Sequence, residues 1–372
     1  MTRRNWRALM LAAALMSSTA IVTRAEARPT VEVAFVLDTT GSMGPLIEVA
    51  KRKIWSIATA ILDTSPDATI RMGLVAYRDI GDDYVTQTFE LTTDIQDLYA
   101  NLLELRAKGG GDWAESVNEA LDVAVNKLAW SSGDDVRRIV FLVGDAPPHM
   151  DYVQDTKYPQ TLKVAKQRDI LVNAVLAGGA RDTERVWREV AQIGGGRFIP
   201  IPQDGGDVVV IETPYDEEII ILQEKIGRTV IPYGPAPMQR KAENKARQVA
   251  TVAAAAPASA SDMASFINKQ ARQSGNAVTG DGDLVSDVRS GRKTLDAIAE
   301  NDLPDDFRKL SPTERQAKLD AQMTERTSLN ERLSRLVAQR DAFVAEKRRT
   351  VQKPANSFDQ AVEATLKAQI KR

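Results

Sequence analysis

Between Val31 and Ile201 the apolar positions follow two periods that take turns along the chain. Val31–Leu37, Thr69–Tyr77, Arg138–Val143, Leu171–Ala177 and Arg197–Ile201 are short, mostly apolar runs, as expected of strands covered on both faces. Among them lie stretches with helical spacing. Pro45–Leu62 carries Ile47, Ile54, Ile57, Ala58 and Ile61; a second stretch carries Val117, Ala120, Leu121, Ala124 and Leu128; a third lies around Thr183–Ile193. Tyr84–Leu91 alternates and reads as a half-exposed edge strand, antiparallel to its neighbour. Strands taking turns with helices predict an α/β fold, a mostly parallel central sheet flanked by helices.

Pro214–Ile231 reads as the last helix of this unit, closed by Pro232, Pro235 and Pro237. Ala253–Ala260 reads as a linker or loose helix, and Ser274–Asp287 as an irregular loop. A long helix is expected to open at Ser311-Pro312-Thr313-Glu314, where serine caps, proline suits the first turn and glutamate closes a capping box. Running to about Arg349, it would be a rod of roughly 57 Å. Its seam of Leu329, Leu333, Leu336 and Phe343 is interrupted by Arg326 and Arg340. From about Ser357 another helix carries Phe358, Val362, Leu366 and Ile370. The pair reads as a helical hairpin or short coiled coil, through which copies could self-associate. The expected division is a leader at 1–27, a head at 28–234, a linker at 235–310 and a helical tail at 311–372.

The leader reading rests on Arg3, Arg4 and Arg7, the apolar run Ala8–Val22 and the small-x-small Ala25-Glu26-Ala27. It makes a signal peptide cleaved after Ala27, and a periplasmic or secreted protein. No later segment is apolar for long enough to span a membrane. The 372 residues include no cysteine, which excludes disulfides, thiol catalysis and thiolate zinc sites. His149 is the one histidine. Residues 28–234 hold 21 basic and 32 acidic side chains, a net of −11, whereas 235–372 hold 24 and 18, a net of +6. So acidic a head argues against nucleic-acid binding.

The chemistry concentrates where the first strand ends, in Asp38-Thr39-Thr40-Gly41-Ser42. Asp38, Thr40 and Ser42 offer oxygen ligands at alternate positions, a set suited to a hard cation such as Mg2+. Ligands of open parallel sheets bind at this end of the strands. The segment resembles the metal-ion-dependent adhesion site, Asp-x-Ser/Thr-x-Ser, of the von Willebrand factor A family. The resemblance covers about Val31 to Gly234 and implies a Rossmann-like sheet with Mg2+, or Mn2+ or Ca2+, on its upper rim. The family also supplies an aspartate after its fourth strand, matched here by Asp145. Its threonine ahead of the third major helix is absent from Lys108-Gly109-Gly110-Gly111-Asp112-Trp113-Ala114-Glu115-Ser116. Asp112 is the leading substitute, ahead of Glu115 and Ser116. A carboxylate ligand there would neutralise more of the cation's charge and weaken its pull on an acidic ligand.

His149 and Trp113 are candidate ligand contacts on the same rim, with Glu115 as a third. The resemblance implies a non-catalytic module that recognises a protein partner through an acidic side chain on the metal. Two alternatives stand beside it. One is an envelope scaffold acting through its tail. The other is a metal-dependent hydrolase, which would need more clustered acids than the rim is expected to supply.

Overall fold

A computed structural model describes residues 28–206, 211–274, 282–350 and 357–371; the expected leader lies outside them. One six-stranded sheet forms the centre, built of β1 (Thr30–Asp38), β2 (Thr69–Tyr77), β3 (Thr86–Thr92), β4 (Val136–Gly144), β5 (Ile170–Ala177) and β6 (Gly195–Ile201). Its order is β3-β2-β1-β4-β5-β6, with every neighbouring pair parallel except β2 and β3. Chain order runs outward in opposite directions from β1. The crevice between the carboxyl ends of β1 and β4 is therefore the switch point where open α/β sheets take ligands.

Helices cover both faces. On one, α3 (Val117–Asp122), α4 (Tyr158–Gln167) and α5 (Arg181–Ile193) pack through Leu121, Leu162, Trp187 and Val190 onto Val36, Val140 and Val172. The other begins with α1 (Gly44–Thr64) and α2 (Ile95–Glu104), whose Ile47, Trp55, Ile61 and Leu98 lie over Val33, Phe141 and Val175. The alternation of strand and helix read from the sequence is borne out. Two of the helices, α2 and α4, were not foreseen.

That second face is completed by residues far along the chain. After α6 (Asp216–Arg228) come α7 (Ala236–Ala255) and α8 (Pro257–Ser274), where a linker was expected. A single break at Ala256-Pro257 separates them, because proline cannot continue the preceding helix. Met263 and Phe266 of α8 join the α1 core, and Phe266 packs against Trp55 at 5.5 Å between ring centroids. Short helices α9 (Leu284–Arg289) and α10 (Asp305–Arg308) precede α11 (Pro312–Thr350). The capping box is present: Glu314 Oε2 accepts from Ser311 N at 2.8 Å and Ser311 Oγ at 2.7 Å.

Among the described residues, the last two helices pack chiefly on other elements rather than on each other as the expected hairpin. α11 lies against α6 and α8, whereas α12 (Phe358–Ile370) lies against α1 and the end of β6. Phe358, Val362 and Leu366 are buried in the head's own core, each worth about 1.5–3 kcal/mol of apolar burial. Asn173 of β5 and Gln369 of α12 exchange amide hydrogen bonds of 3.0 and 2.8 Å in the interior. The arginines that break the α11 seam also have a structural role. Arg326 is buried against Asp283, Thr229 and Ser286, and Arg340 against Asp216 and Asp262. Asp283 is thus a buried ion-pair partner. Asp281, two positions before it in the same expected loop, lies outside the described residues.

Candidate metal centre

The carboxyl ends of β1 and β4 deliver two aspartates side by side. Asp38 is the last residue of β1 and fully buried; Asp145 follows the last residue of β4. Asp38 Oδ1 accepts from Thr40 N at 2.8 Å and Thr40 Oγ1 at 2.7 Å, and Thr40 Oγ1 lies 3.4 Å from Ser42 Oγ. The intervening Thr39 points the other way, donating to the Tyr77 carbonyl and meeting Tyr84 Oη at 2.7 Å. Strand alternation, carried into the turn, thus brings Asp38, Thr40 and Ser42 together. Asp145 Oδ2 accepts from Gln203 Nε2 at 2.6 Å.

Gly144 explains how closely the two strands can present these acids. A Cβ there would collide with the Tyr77 hydroxyl and sit 3.3 Å from Asp38 Oδ2. Next door, the glycine loop folds over the β1 turn, with Gly41 N donating to Gly109 O at 3.2 Å. Gly110, at φ +81°, leaves room where a Cβ would come 3.2 Å from Glu115 Oε1 and 3.3 Å from Thr40 Cβ. Glu115 therefore lies beside Thr40, and its residue is only 3% exposed.

Three buried carboxylate oxygens here have no hydrogen-bond partner: Asp38 Oδ2, Asp145 Oδ1 and Glu115 Oε2. Burial pushes Asp38 up to about 7, with Asp145 adding to the effect against the Thr40 hydrogen bonds and Arg78. It pushes Glu115 up to about 9, helped by the charges of Asp38, Asp79, Asp82 and Asp145. Burial, with the charges of Asp38, Asp145 and Glu115, also raises the Tyr77 hydroxyl well above its ordinary range. The neighbouring cation, Arg78, spends its N–H groups on the Thr39 and Arg106 carbonyls and on Asp83. These three neighbouring carboxylates, each with an unpartnered buried oxygen, lack positive charge, and the chemistry of the set suits a divalent cation.

The loop residues divide differently from expectation. Asp112, the leading substitute for the missing threonine, is exposed and turned to His149, 3.4 Å from Nε2. Ser116 Oγ donates to Asp79 Oδ1 at 2.8 Å. Glu115 is the loop carboxylate buried beside Thr40, so it occupies the neighbourhood expected of Asp112. Trp113 is half-exposed and anchors the loop to α5 by donating from Nε1 to Asp182 at 2.7 Å. His149 is buried, stacked on Tyr152 with centroids 4.0 Å apart, and meets Asp151 through Nδ1 at 2.9 Å. Burial opposes its protonation, but Asp151, Asp79 and Asp112 outweigh that and hold its pKa above the ordinary value.

Gln203 and Asp79 were missed by the sequence reading. A general signal pointed to Asp79: it follows the carboxyl end of β2, as Asp38 and Asp145 mark the ends of β1 and β4. The rim consequently gathers more carboxylates than the motif residues alone supply.

The von Willebrand factor A domain family model matches residues 32–201, spanning all of the strand-end acids just described. Residues 32–201 form a von Willebrand factor A domain. Such domains commonly mediate protein–protein interactions and often bind a divalent metal. A putative ariadne-like RING finger protein of Acanthamoeba polyphaga mimivirus is 33% identical over 123 residues, 32% of this chain and 11% of that protein. An alpha-protein kinase of Dictyostelium discoideum is 30% identical over 122 residues, 32% of this chain and 19% of that protein. The aligned region thus spans under a fifth of either relative. Among solved structures, the crystal structure of the SpRpn10 von Willebrand factor A domain resembles this chain with a TM-score of 0.36 and 13% identity. That match covers 48% of this chain and 89% of that one. Among the described residues, no helix is long and apolar enough to cross a membrane.

Proposed function

We propose that this protein is an exported, non-catalytic binding protein whose von Willebrand factor A domain grips a protein partner through a divalent cation, Mg2+ or else Mn2+ or Ca2+. Asp38, Thr40, Ser42, Glu115 and Asp145 would hold the cation. The observation that carries this reading is the trio of unpartnered, buried oxygens on Asp38, Glu115 and Asp145. When bound, the cation would supply a Lewis-acidic coordination position for an acidic side chain of the partner. Glu115, standing near where the family places a threonine, offsets more of the cation's charge than a hydroxyl would, so that acidic contact is weaker. Apolar contact makes up the difference. Ile80, Trp113, Met150 and Val153, four of the six exposed large hydrophobics among the described residues, stand on the rim loops around the site. An exposed apolar rim with a tryptophan is the usual makeup of a docking surface.

The tail supports this reading over a tail-driven scaffold. α12 is built into the head's core and α11 is tied down by two buried arginines, so both act first as parts of the head. Export rests on the leader, whose removal after Ala27 is checked by mass spectrometry of the mature protein.

The test of the binding site is thermal unfolding of the full mature chain. Mg2+ or Mn2+ at a hundredfold excess over Kd stabilises by roughly 2.7 kcal/mol, a rise of several degrees in Tm. Asp38→Ala is expected to abolish that rise. An unshifted wild-type Tm, or an equal rise in the variant, contradicts the proposal.

A further inference from the structure

On the same rim, outside the set assigned to the first cation, stand Asp79, Asp112 and His149. One ligand atom from each lies within 4.8 Å of the other two. His149 Nε2 is 3.5 Å from Asp79 Oδ2 and 3.4 Å from Asp112 Oδ2. We propose that these three side chains form a second metal site, selective for a borderline transition ion such as Zn2+ or Co2+ over Mg2+.

Geometry separates this from a simple ion-pair hub. A charge-assisted N–H···O bond draws its atoms to about 2.7–2.9 Å. Here Nε2 stands off from two carboxylates at once, by nearly equal and longer distances, and a single N–H cannot serve both. Two ligands bound at about 2.0–2.1 Å to one tetrahedral ion sit about 3.3–3.4 Å apart. The two spacings from Nε2 match that second case.

The surroundings hold these groups as a metal site's outer shell does. Asp151 Oδ1 takes His149 Nδ1 at 2.9 Å, the carboxylate–histidine pairing that fixes the ring and leaves Nε2 to the metal. Tyr152 stacks under the imidazole and donates from its hydroxyl to Asp79 Oδ2 at 2.8 Å, and Ser116 donates to Asp79 Oδ1 at 2.8 Å. The lack of positive charge at the first site extends toward these residues. Glu115, which is 97% buried and leaves Oε2 unpartnered, feels Asp79 and Asp82 as well as Asp38 and Asp145. Main-chain bonds tie it to this loop: Glu115 N donates to Pro147 O and His149 N to Glu115 O. Glu115 thus stands between the two groups of acids. Imidazole with two carboxylates suits zinc-like ions, whereas Mg2+ prefers oxygen alone.

The experiment is a Co2+ titration of the full mature chain in excess Mg2+, followed by visible absorption and calorimetry. One Co2+ is expected to bind, with an absorption band in the visible. Asp112→Asn, a change at an exposed side chain, should weaken binding at least tenfold, and His149→Gln should remove the band. Asp151→Asn should cost about 10–100-fold through loss of the orienting carboxylate. Asp38→Ala should bind Co2+ like wild type, so failure of the first site leaves this result intact. Absence of Co2+ binding, unchanged binding in Asp112→Asn and His149→Gln, or loss only in Asp38→Ala would each overturn the proposal.

Discussion

Thr40 occupies one oxygen of Asp38 completely, through both its main-chain N–H and its hydroxyl, and leaves the other with no partner. The hydrogen bonds fix the carboxylate's rotation, so the free oxygen is held in place beside Asp145 and Glu115 before any ligand arrives. A buried carboxylate in that state is costly unless it is protonated or meets a cation. The chemistry of the rim follows from this arrangement.

The first consequence is a pH dependence. Asp38 rises to about 7 and Glu115 to about 9. Both are acids whose folded values exceed their unfolded ones, so the folded metal-free protein holds these protons more tightly. Its stability should fall as pH rises from about 4 through 7 and on toward 9, since deprotonation is easier in the unfolded chain. Saturating Mg2+ takes the protons' place and should flatten the trend. Mg2+ affinity should itself climb over this window, by roughly tenfold per pH unit for one displaced proton. Thermal melts at pH 6, 7.5 and 9, in chelator and in Mg2+, measure both effects.

Gly144→Ala tests the close approach of β4 to β1. The added methyl group meets the Tyr77 hydroxyl and presses on Asp38 Oδ2. Overpacking of this kind costs about 1–3 kcal/mol. Denaturant unfolding should show that loss, and Mg2+ calorimetry a weakened site.

Much of this was legible in the sequence, for definite reasons. Val31–Leu37 and Arg138–Val143 are apolar on both faces and end in acids, which places Asp38 and Asp145 together once the sheet is parallel. The capping box at Ser311 announces α11 for the same reason: its partners are local. Legibility ends where the partner lies far along the chain. Arg326 and Arg340 look like breaks in an apolar seam because Asp283, Asp216 and Asp262 are distant in sequence. Likewise α12 shows an amphipathic face without revealing that α1 receives it. The glycine loop hides which carboxylate turns inward, since Asp112 and Glu115 are separated by three positions and the backbone there adopts φ values open mainly to glycine. α2 and α4 passed unnoticed although each has an amphipathic face.

Arg326→Ala tests the buried tether of α11. Removing the guanidinium strands Asp283 in a site from which both side chains exclude water. Breaking such a pair costs about 3–5 kcal/mol. Unfolding midpoints should drop accordingly, whereas Arg332→Ala, at the exposed pair with Glu218, should change stability by less than about 1 kcal/mol.

Completion of the core by α12 makes a further prediction. Leu366→Ala should destabilise the protein by about 2–5 kcal/mol. A chain ending at Gly234 should fail to fold as an independent head, because it uncovers the α1 face that α8 and α12 bury. Circular dichroism and gel filtration of that truncation check the expectation.

The most direct test of the rim account is anomalous diffraction from crystals of the mature protein grown or soaked in Mn2+. A peak is expected among Asp38, Glu115 and Asp145, about 2.1 Å from their ligand oxygens and in reach of the Thr40 and Ser42 hydroxyls. Density without a peak there, or those three carboxylates turned away from one another, would contradict it.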